Sequence, residues 1–309
     1  MKRILVIDYS QIGQTRAIRD AICEPLRAAS DQIQMDYLTL EPEKSFPFPW
    51  PKVHFFEIFP ETVQMKPVTL KAYGEALSPP YDLVILCYQV WFLSPSLPVS
   101  SFLQSPQACR LLKDTPVMTV ISCRNMWLQA QEKVKALLEN AGAHLVDNVV
   151  LTDRCTTAAS FISTPLWMFT GRKKAWRWVP EAGIDPQAIK DCSHFGVAVR
   201  QHLTQSSEPI RAPMLAELHP CAVDEKLIAS EKLGRRSFML WSKVLSALGS
   251  QGSVGRRLGL LIYVVFLVVL ILTLVPISML IKKLFRPLIS KKLRTAKAYY
   301  AHPYNVDDV

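Results

Sequence analysis

Residues 10–15, Ser-Gln-Ile-Gly-Gln-Thr, follow an apolar run that breaks at Asp8 and precede helix-patterned sequence. Ser10, Gln11, Gln14 and Thr15 offer hydroxyl and amide donors, Ile12 adds only its backbone amide, and Gly13 permits a tight turn. A helix starting here would present unpaired N–H groups and its positive dipole end, so the natural guest is a phosphate. The further glycines of a GxGxxG fingerprint and the lysine of a Walker loop are missing. The alternative is an ordinary strand-to-helix turn capped by Ser and Thr.

Two more segments sit where a strand gives way to a loop. One is QVWFLSPSLPVSSFLQS (89–105), opening with Gln89, Val90, Trp91 and Phe92; the other is SCRNMW (122–127), with Ser122, Cys123, Arg124 and Asn125. Cys123 would need a nearby base to act as a nucleophile, and none of the six histidines lies in a neighbouring loop. The histidines are spread along the chain without HxxxH or CxxC-type spacing, so no metal site is expected.

The elements that must position these loops alternate along the first 150 residues. RILVID (3–8) reads as a strand, residues 14–29 as a helix and IQMDYLTL (33–40) as a second strand. YDLVILCY (81–88) and TPVMTVIS (115–122) are near-continuous apolar runs, as expected for parallel strands covered on both faces. Residues 126–141 place apolar side chains on one helical face, Gly142 supplies the stop, and HLVDNVVL (144–151) is the fifth strand. The alternation implies an α/β, doubly wound, parallel five-stranded sheet, whose ligands bind beyond the strands' carboxyl ends. Pro25 is expected to end or kink the first helix near Cys23-Glu24. FPFPWPKVHFFEIFPETV (46–63) reads as an insertion too turn-rich for helix, the whole inserted segment spanning 46–80.

The first loop resembles that of the flavodoxin-like family, Ser-x-Thr-Gly-Asn-Thr, with Ile12 in place of a threonine and Gln14 in place of asparagine. The resemblance implies FMN as cofactor, its phosphate wrapped by Ser10, Gln11, Ile12, Gly13, Gln14 and Thr15. The 89–105 segment resembles the flavin-side loop of FMN-dependent NAD(P)H:quinone reductases. By that resemblance Gln89, Val90, Trp91 and Phe92 line the isoalloxazine ring, with Trp91 stacking on its face; the alternative is that both aromatics are core. Ser122, Cys123, Arg124 and Asn125 form the third loop, where an arginine and an amide can donate to flavin carbonyls or to a pyridine-nucleotide phosphate. SPSLPVSSFLQSP, SCRNMWLQAQEKVK and FTGRKK also resemble a bacterial group labelled "dialkylresorcinol condensing enzyme". Acyl condensation generally uses a thiolase-like fold with Cys and His partners, which this chain lacks. The label is read as a pathway association with aryl-lipid biosynthesis.

Charge separates the halves of the 309-residue chain. Residues 1–225 carry 22 Lys/Arg and 23 Asp/Glu, residues 226–309 carry 14 and 3, and the formal +10 is therefore entirely C-terminal. Residues 258–281 form a stretch without a charge, about 36 Å long as a helix and enough to cross a bilayer. The cations around it are read as headgroup contacts, so no nucleic-acid partner is expected. The expected division is a flavodoxin-like domain (1–155), a helical extension (156–225), a basic linker (226–257), a transmembrane segment (258–281) and a basic tail (282–309). In residues 161–180, Trp167, Trp176 and Trp178 beside Arg172, Lys173, Lys174 and Arg177 suit either a membrane interface or a solvated helix over a small core.

The opening MKRILVIDYS is too short in apolar residues for a signal-peptide core. The seven cysteines are odd in number and unpaired in spacing, which fits free thiols in a reducing compartment. The expected location is thus the inner face of the cytoplasmic membrane, with membrane lipid and a quinone or aromatic-lipid substrate as partners. A homo-oligomer is compatible with the sequence. Two rules conflict over topology: a single crossing exports the tail, yet seven cations follow the span within about 20 residues against three before it, which favours a cytoplasmic tail. A break at Pro276 that turns the helix back resolves the conflict. The competing functions are an FMN oxidoreductase, a non-catalytic scaffold on the same fold, and the condensing enzyme of the label.

Overall fold

Strands β1 (Lys2–Asp8), β2 (Ile33–Thr39), β3 (Leu83–Trp91), β5 (Pro116–Cys123) and β6 (His144–Thr152) lie parallel in the order β2-β1-β3-β5-β6, while the two-residue β4 (Ser94–Pro95) folds back antiparallel on the end of β3. This is a computed structural model, which describes residues 1–73, 77–153, 157–174, 181–206 and 208–302. In register, Ile4–Asp8 of β1 align with Leu83–Cys87 of β3 and with Met35–Thr39 of β2. The central strands are buried on both faces, which is why they read as unbroken apolar runs.

Around the sheet run α1 (Gln14–Arg27), α2 (Lys52–Glu57), α3 (Phe59–Gln64), α4 (Leu97–Leu103), α5 (Pro106–Leu112), α6 (Leu128–Asn140), α7 (Thr157–Thr170), α8 (Pro186–Asp191), α9 (Ser193–Gln205), α10 (Glu225–Ala247) and α11 (Val254–Ala301). One face is covered by α1 and α9, with Ile18 and Ile22 meeting Phe195 and Val199 over Ile4, Val6 and Ile85. The other is covered by α4, α5 and α6, with Phe102, Leu111 and Val134 over Leu5, Leu86 and Val117. Full burial of each such side chain contributes about 1.5–3 kcal/mol.

Several expectations need correction. Helix α1 does not end at Cys23-Glu24 but continues through Pro25 to Arg27. Near a helix end the missing donor of Pro25 forfeits a single bond, and Ala28 N still donates to Glu24 O at 3.1 Å. The turn-rich 46–63 segment contains two short helices, α2 and α3, because Pro51 and Pro60 sit at first turns, where a missing N–H costs little. Strand β3 runs through Gln89, Val90 and Trp91, residues expected in a loop. The boundary at 155 is no break in packing, since α9 completes the cover of the sheet, and the 226–257 linker is mostly the helix α10. Helix α11 runs Val254–Ala301, so the expected return at Pro276 is not an interruption of helical backbone. Trp176, Arg177 and Trp178, Arg154, Cys155 and residues 303–309 lie outside the described residues. The six described cysteines are free.

Helices α1 and α9 touch backbone to backbone at Gly196, where an added Cβ would overlap the Ile22 carbonyl. Gly196→Ala should therefore destabilise the protein by about 1–3 kcal/mol, lowering the thermal midpoint by several degrees. An unchanged midpoint by calorimetry would contradict this account of the α1–α9 contact.

Candidate functional site

At the carboxyl end of β1, Asp8 is fully buried, with Arg19 Nη1 donating to Oδ1 at 2.5 Å, Thr39 Oγ1 donating to Oδ1 at 3.0 Å and Arg16 Nε 3.9 Å from Oδ2. Arg19 is also held by Asp20, so this pair ties the first turns of α1 to the sheet. Gly13 caps α1 with φ +85°, left-handed backbone that an L side chain rarely adopts, and nothing lies within 4 Å of where a Cβ would stand. The amides of residues 11–15 meet no acceptor among the described residues, as expected at a helix N-terminus.

The side chains of this loop are engaged differently from expectation. Ser10 Oγ accepts from Arg16 N at 3.3 Å. Gln11 Nε2 donates to Pro47 O at 2.8 Å, and Gln14 Nε2 donates to Ile184 O at 3.4 Å. Thr15 Oγ1 and Ser122 Oγ share a buried hydrogen bond of 2.6 Å, which ties loop one to β5. An anion here would be met by backbone amides and by the half-exposed Arg16, more than by these hydroxyls and amides.

A cavity of about 280 Å³ opens between the three loops. Of the expected residues it gathers Gln11, Ile12, Gln14, Gln89, Val90, Trp91, Phe92, Ser122, Cys123 and Arg124; Ser10, Gly13, Thr15 and Asn125 do not line it. Gln89 pairs with Ser122 across β3 and β5, which places both at the same height above the sheet. Gln89 Oε1 and Thr164 Oγ1, both on the lining, are buried without a hydrogen-bond partner among the described residues. Buried polar atoms are ordinarily satisfied, so two unsatisfied oxygens on residues that line one cavity make these side chains candidates to meet a polar occupant.

Its roof comes from residues not expected in the site. Phe48, Trp50 and Phe55 of the inserted segment and Trp167 and Met168 of α7 close over it, with Trp50 N donating to Met168 O at 2.7 Å. The signal for them was their aromatic richness in stretches foreign to the α/β pattern. Trp91 is at once packing and lining: its ring meets Tyr9, Phe46 and Trp50 edge-on, with centroids 5.8, 5.1 and 5.6 Å away. Beyond it, Phe92 and Leu93 form the two-residue turn into β4 with φ of +49° and +58°, the left-handed pair a tight hairpin needs.

Loop three is held from behind. Asp153 N donates to the carbonyls of Cys123 and Arg124, and Glu231 of α10 reaches the N-terminus of α6, where Gln129 N donates to its Oε2 at 3.0 Å. Burial pushes the Cys123 thiol up, Glu231 adding to the shift, so a thiolate is disfavoured. Among the described residues no group of three His, Cys, Asp or Glu could hold a metal.

Burial also raises the Glu231 carboxyl to about 7, against the lowering by amides at Gln129, Leu128 and Trp127. The folded chain then holds a proton that the unfolded chain has released, so stability is lost as pH rises from about 4.5 to about 7. Glu231→Gln should flatten this slope, by on the order of 1–3 kcal/mol between pH 5 and 8, in thermal melts. An equal slope in both proteins would refute the assignment.

No family model and no curated protein matches the chain. Solved structures similar to it include a flavoprotein in complex with FMN from Lactobacillus acidophilus, 13% identical, covering 48% of this chain and 93% of that one with a TM-score of 0.39. A flavodoxin from the domain Archaea is 9% identical over 66% of this chain and 99% of its own, with a TM-score of 0.36. Oxidised Flavodoxin 1 from Bacillus cereus is 13% identical over 65% and 99%, with a TM-score of 0.35. Similarities this low assign no activity. The strand order carries the fold: with β4 set aside, β2-β1-β3-β5-β6 and helices on both faces is the doubly wound 2-1-3-4-5 arrangement, and the chain has the flavodoxin-like fold.

Proposed function

We propose that the chain is an FMN-binding flavoprotein that carries out redox chemistry on a quinone or aromatic lipid at the inner face of the cytoplasmic membrane, with NAD(P)H as donor. The observation that carries this reading is the cavity at the β1/β3 switch point, where Gln89 Oε1 and Thr164 Oγ1 lack partners beside the open N-terminus of α1. The donor set fits a flavin: free amides and Arg16 for a phosphate, an acceptor and a hydroxyl for the polar edge of a ring, and indole walls for its faces. The volume lies at the low end for small-molecule sites, so the phosphate end would remain outside the cavity, at loop one.

When bound, FMN supplies hydride or electron transfer. The chain's own residues bind and orient: Gln89 and Thr164 take up the polar edge, while Trp50 and Trp167 exclude water. Arg124 stands at the mouth of β5, where its cation would meet the phosphate of a nucleotide donor. Condensation is not proposed, because burial disfavours the Cys123 thiolate and no histidine among the described residues lines the cavity. A link to aryl-lipid biosynthesis enters only as a source of substrate. A scaffold on the same fold is favoured by one observation, that Gln11 and Thr15 are already bonded within the protein.

The visible spectrum of detergent-purified protein tests these readings directly, since oxidised flavin is yellow and a scaffold is colourless. Gly13→Asp, which adds bulk and negative charge at the amide cluster, should abolish flavin retention, whereas Gly13→Asn, tolerant of left-handed backbone, should retain part of it. Full flavin content in Gly13→Asp would remove the phosphate-loop assignment. Arg124→Ala should weaken NAD(P)H oxidation more than flavin retention, by about 1.5–3 kcal/mol in kcat/KM. FMN-replete protein that oxidises neither NADH nor NADPH with any quinone would leave the scaffold reading.

A further inference from the structure

Helix α11 contains an apolar stretch, Val254–Thr273, long enough to cross a membrane. Its two ends, however, are fastened to the same body. At the start, Arg256 binds Glu61 with Nη1 2.7 Å from Oε1 and also reaches the Glu57 carbonyl, and the ring of Tyr263 stacks on Phe59 at 4.5 Å and meets Trp241 of α10 at 5.3 Å. At the other end, Gln129 Nε2 of α6 donates to Tyr300 Oη at 3.3 Å, and Tyr299 Oη donates to Glu132 at 2.9 Å. There too Lys297 pairs with Glu225 of α10 at 3.4 Å, and Lys232 of α10 lies 5.7 Å from the Tyr300 ring.

These anchors are too close for a straight rod. From Tyr263 to Tyr300 a straight helix extends about 55 Å at 1.5 Å per residue. Their partners on α10, Trp241 and Lys232, are separated by only about 14 Å on the same scale, and side-chain reach does not cover the remainder. The two anchors of α11 are therefore closer together than the ends of a straight helix of that length, and the sequence between them contains Pro276 and Pro287.

The leading half presents a bare stripe at helical spacing, with Leu258, Leu261, Ile262, Val265, Val269 and Leu272 all exposed, while Leu260 and Tyr263 on the opposite face are buried against the domain. Arg257 precedes the stripe, and Lys282, Lys283, Arg286, Lys291, Lys292 and Arg294 follow it. No carboxylate side chain occurs between residues 254 and 306. Arg257 is paired with Glu57 at 3.3 Å, but the cations after the stripe stand in sequence without a carboxylate, and an apolar stripe followed by such a basic run is complementary to the acyl layer and headgroups of an anionic bilayer.

We propose that α11 is a one-sided attachment, which enters an anionic phospholipid leaflet and returns through the same face, leaving the domain and the tail in one compartment. It rests on the membrane reading of α11 and not on the flavin reading, so colourless protein tests it equally well. The positive-inside conflict disappears, because no cation is translocated.

Reporters fused to the full chain before Met1 and after Val309 test the topology in cells: a green protein that fluoresces only in the cytoplasm and alkaline phosphatase that is active only outside it. Expected are a membrane-fraction protein and fluorescence from both ends. Phosphatase activity after Val309 with fluorescence before Met1 would mean a true crossing and overturn the proposal. Recovery of the full chain in the soluble fraction, or as a dimer that fails to float with phosphatidylglycerol vesicles, would overturn it as well. As a check free of fusions, a short bis-maleimide, to which each thiol adds without an oxidant, should bridge the Glu225→Cys/Lys297→Cys pair in native membranes and neither single variant, giving a cross-link seen by mass spectrometry. A single crossing would keep those residues apart and yield none.

Discussion

The carboxylate of Asp8 has no contact with solvent, and it is tolerated there because Arg19 meets it at 2.5 Å and Thr39 donates to it at 3.0 Å. Removing one partner of such a buried pair costs about 3–5 kcal/mol, since the other charge is left uncompensated. The pair joins three elements at one point: the end of β1, the first turns of α1, and the end of β2. Where α1 begins, where Gly13 must turn left-handed and which amides face outward all follow from that junction. The crevice on the other side of β1 follows from topology, because the connections leaving β1 and β3 cover opposite faces of the sheet.

What could be read without coordinates was whatever local pattern controls. The apolar runs at 3–8, 81–88 and 115–122 and the stop at Gly142 gave the sheet and its layers, because strands buried on both faces and a left-handed helix stop leave marks in single residues. The extension of β3 through Gln89, Val90 and Trp91 left no such mark, since its partner there is the two-residue β4, whose pairing depends on the turn between them. Helices α2 and α3 were hidden by prolines that mark first turns as readily as loops. The three loops of the site were legible as loops, and ten of their fourteen candidate residues line one cavity. Thr164, Trp167 and Gly183 were not legible as lining, because they reach the cavity from a distant part of the chain. The return proposed for α11 was legible only through Pro276 and the cations after the span, because hydropathy reports the length of an apolar run and nothing about where its ends are tied.

The inserted segment connects these features. Trp50 roofs the cavity, Phe55 lies 5.7 Å from Trp50, Phe92 4.7 Å from Phe55, Phe59 5.2 Å from Phe92, and Tyr263 of α11 4.5 Å from Phe59. Such ring pairs contribute about 0.5–1.5 kcal/mol each beyond the area they bury. An unbroken aromatic path thus joins the cavity to the apolar helix, and the segment least like the rest of the sheet is the one that touches both.

The hairpin at Phe92 and Leu93 holds two L-residues in left-handed backbone, at a cost of about 1–2 kcal/mol each. That cost is offset while Phe92 stays between Phe55 and Phe59 and while Leu93 presses on Gly234 of α10. Phe59 is also the ring on which Tyr263 stacks, so a displacement of α11 is felt by the turn that carries Trp91. Under the membrane proposal, the cavity and α11 are then linked sites in the thermodynamic sense. If lipid tightens the grip on a cavity occupant by some factor, the occupant must tighten the grip on lipid by the same factor, whichever arrives first.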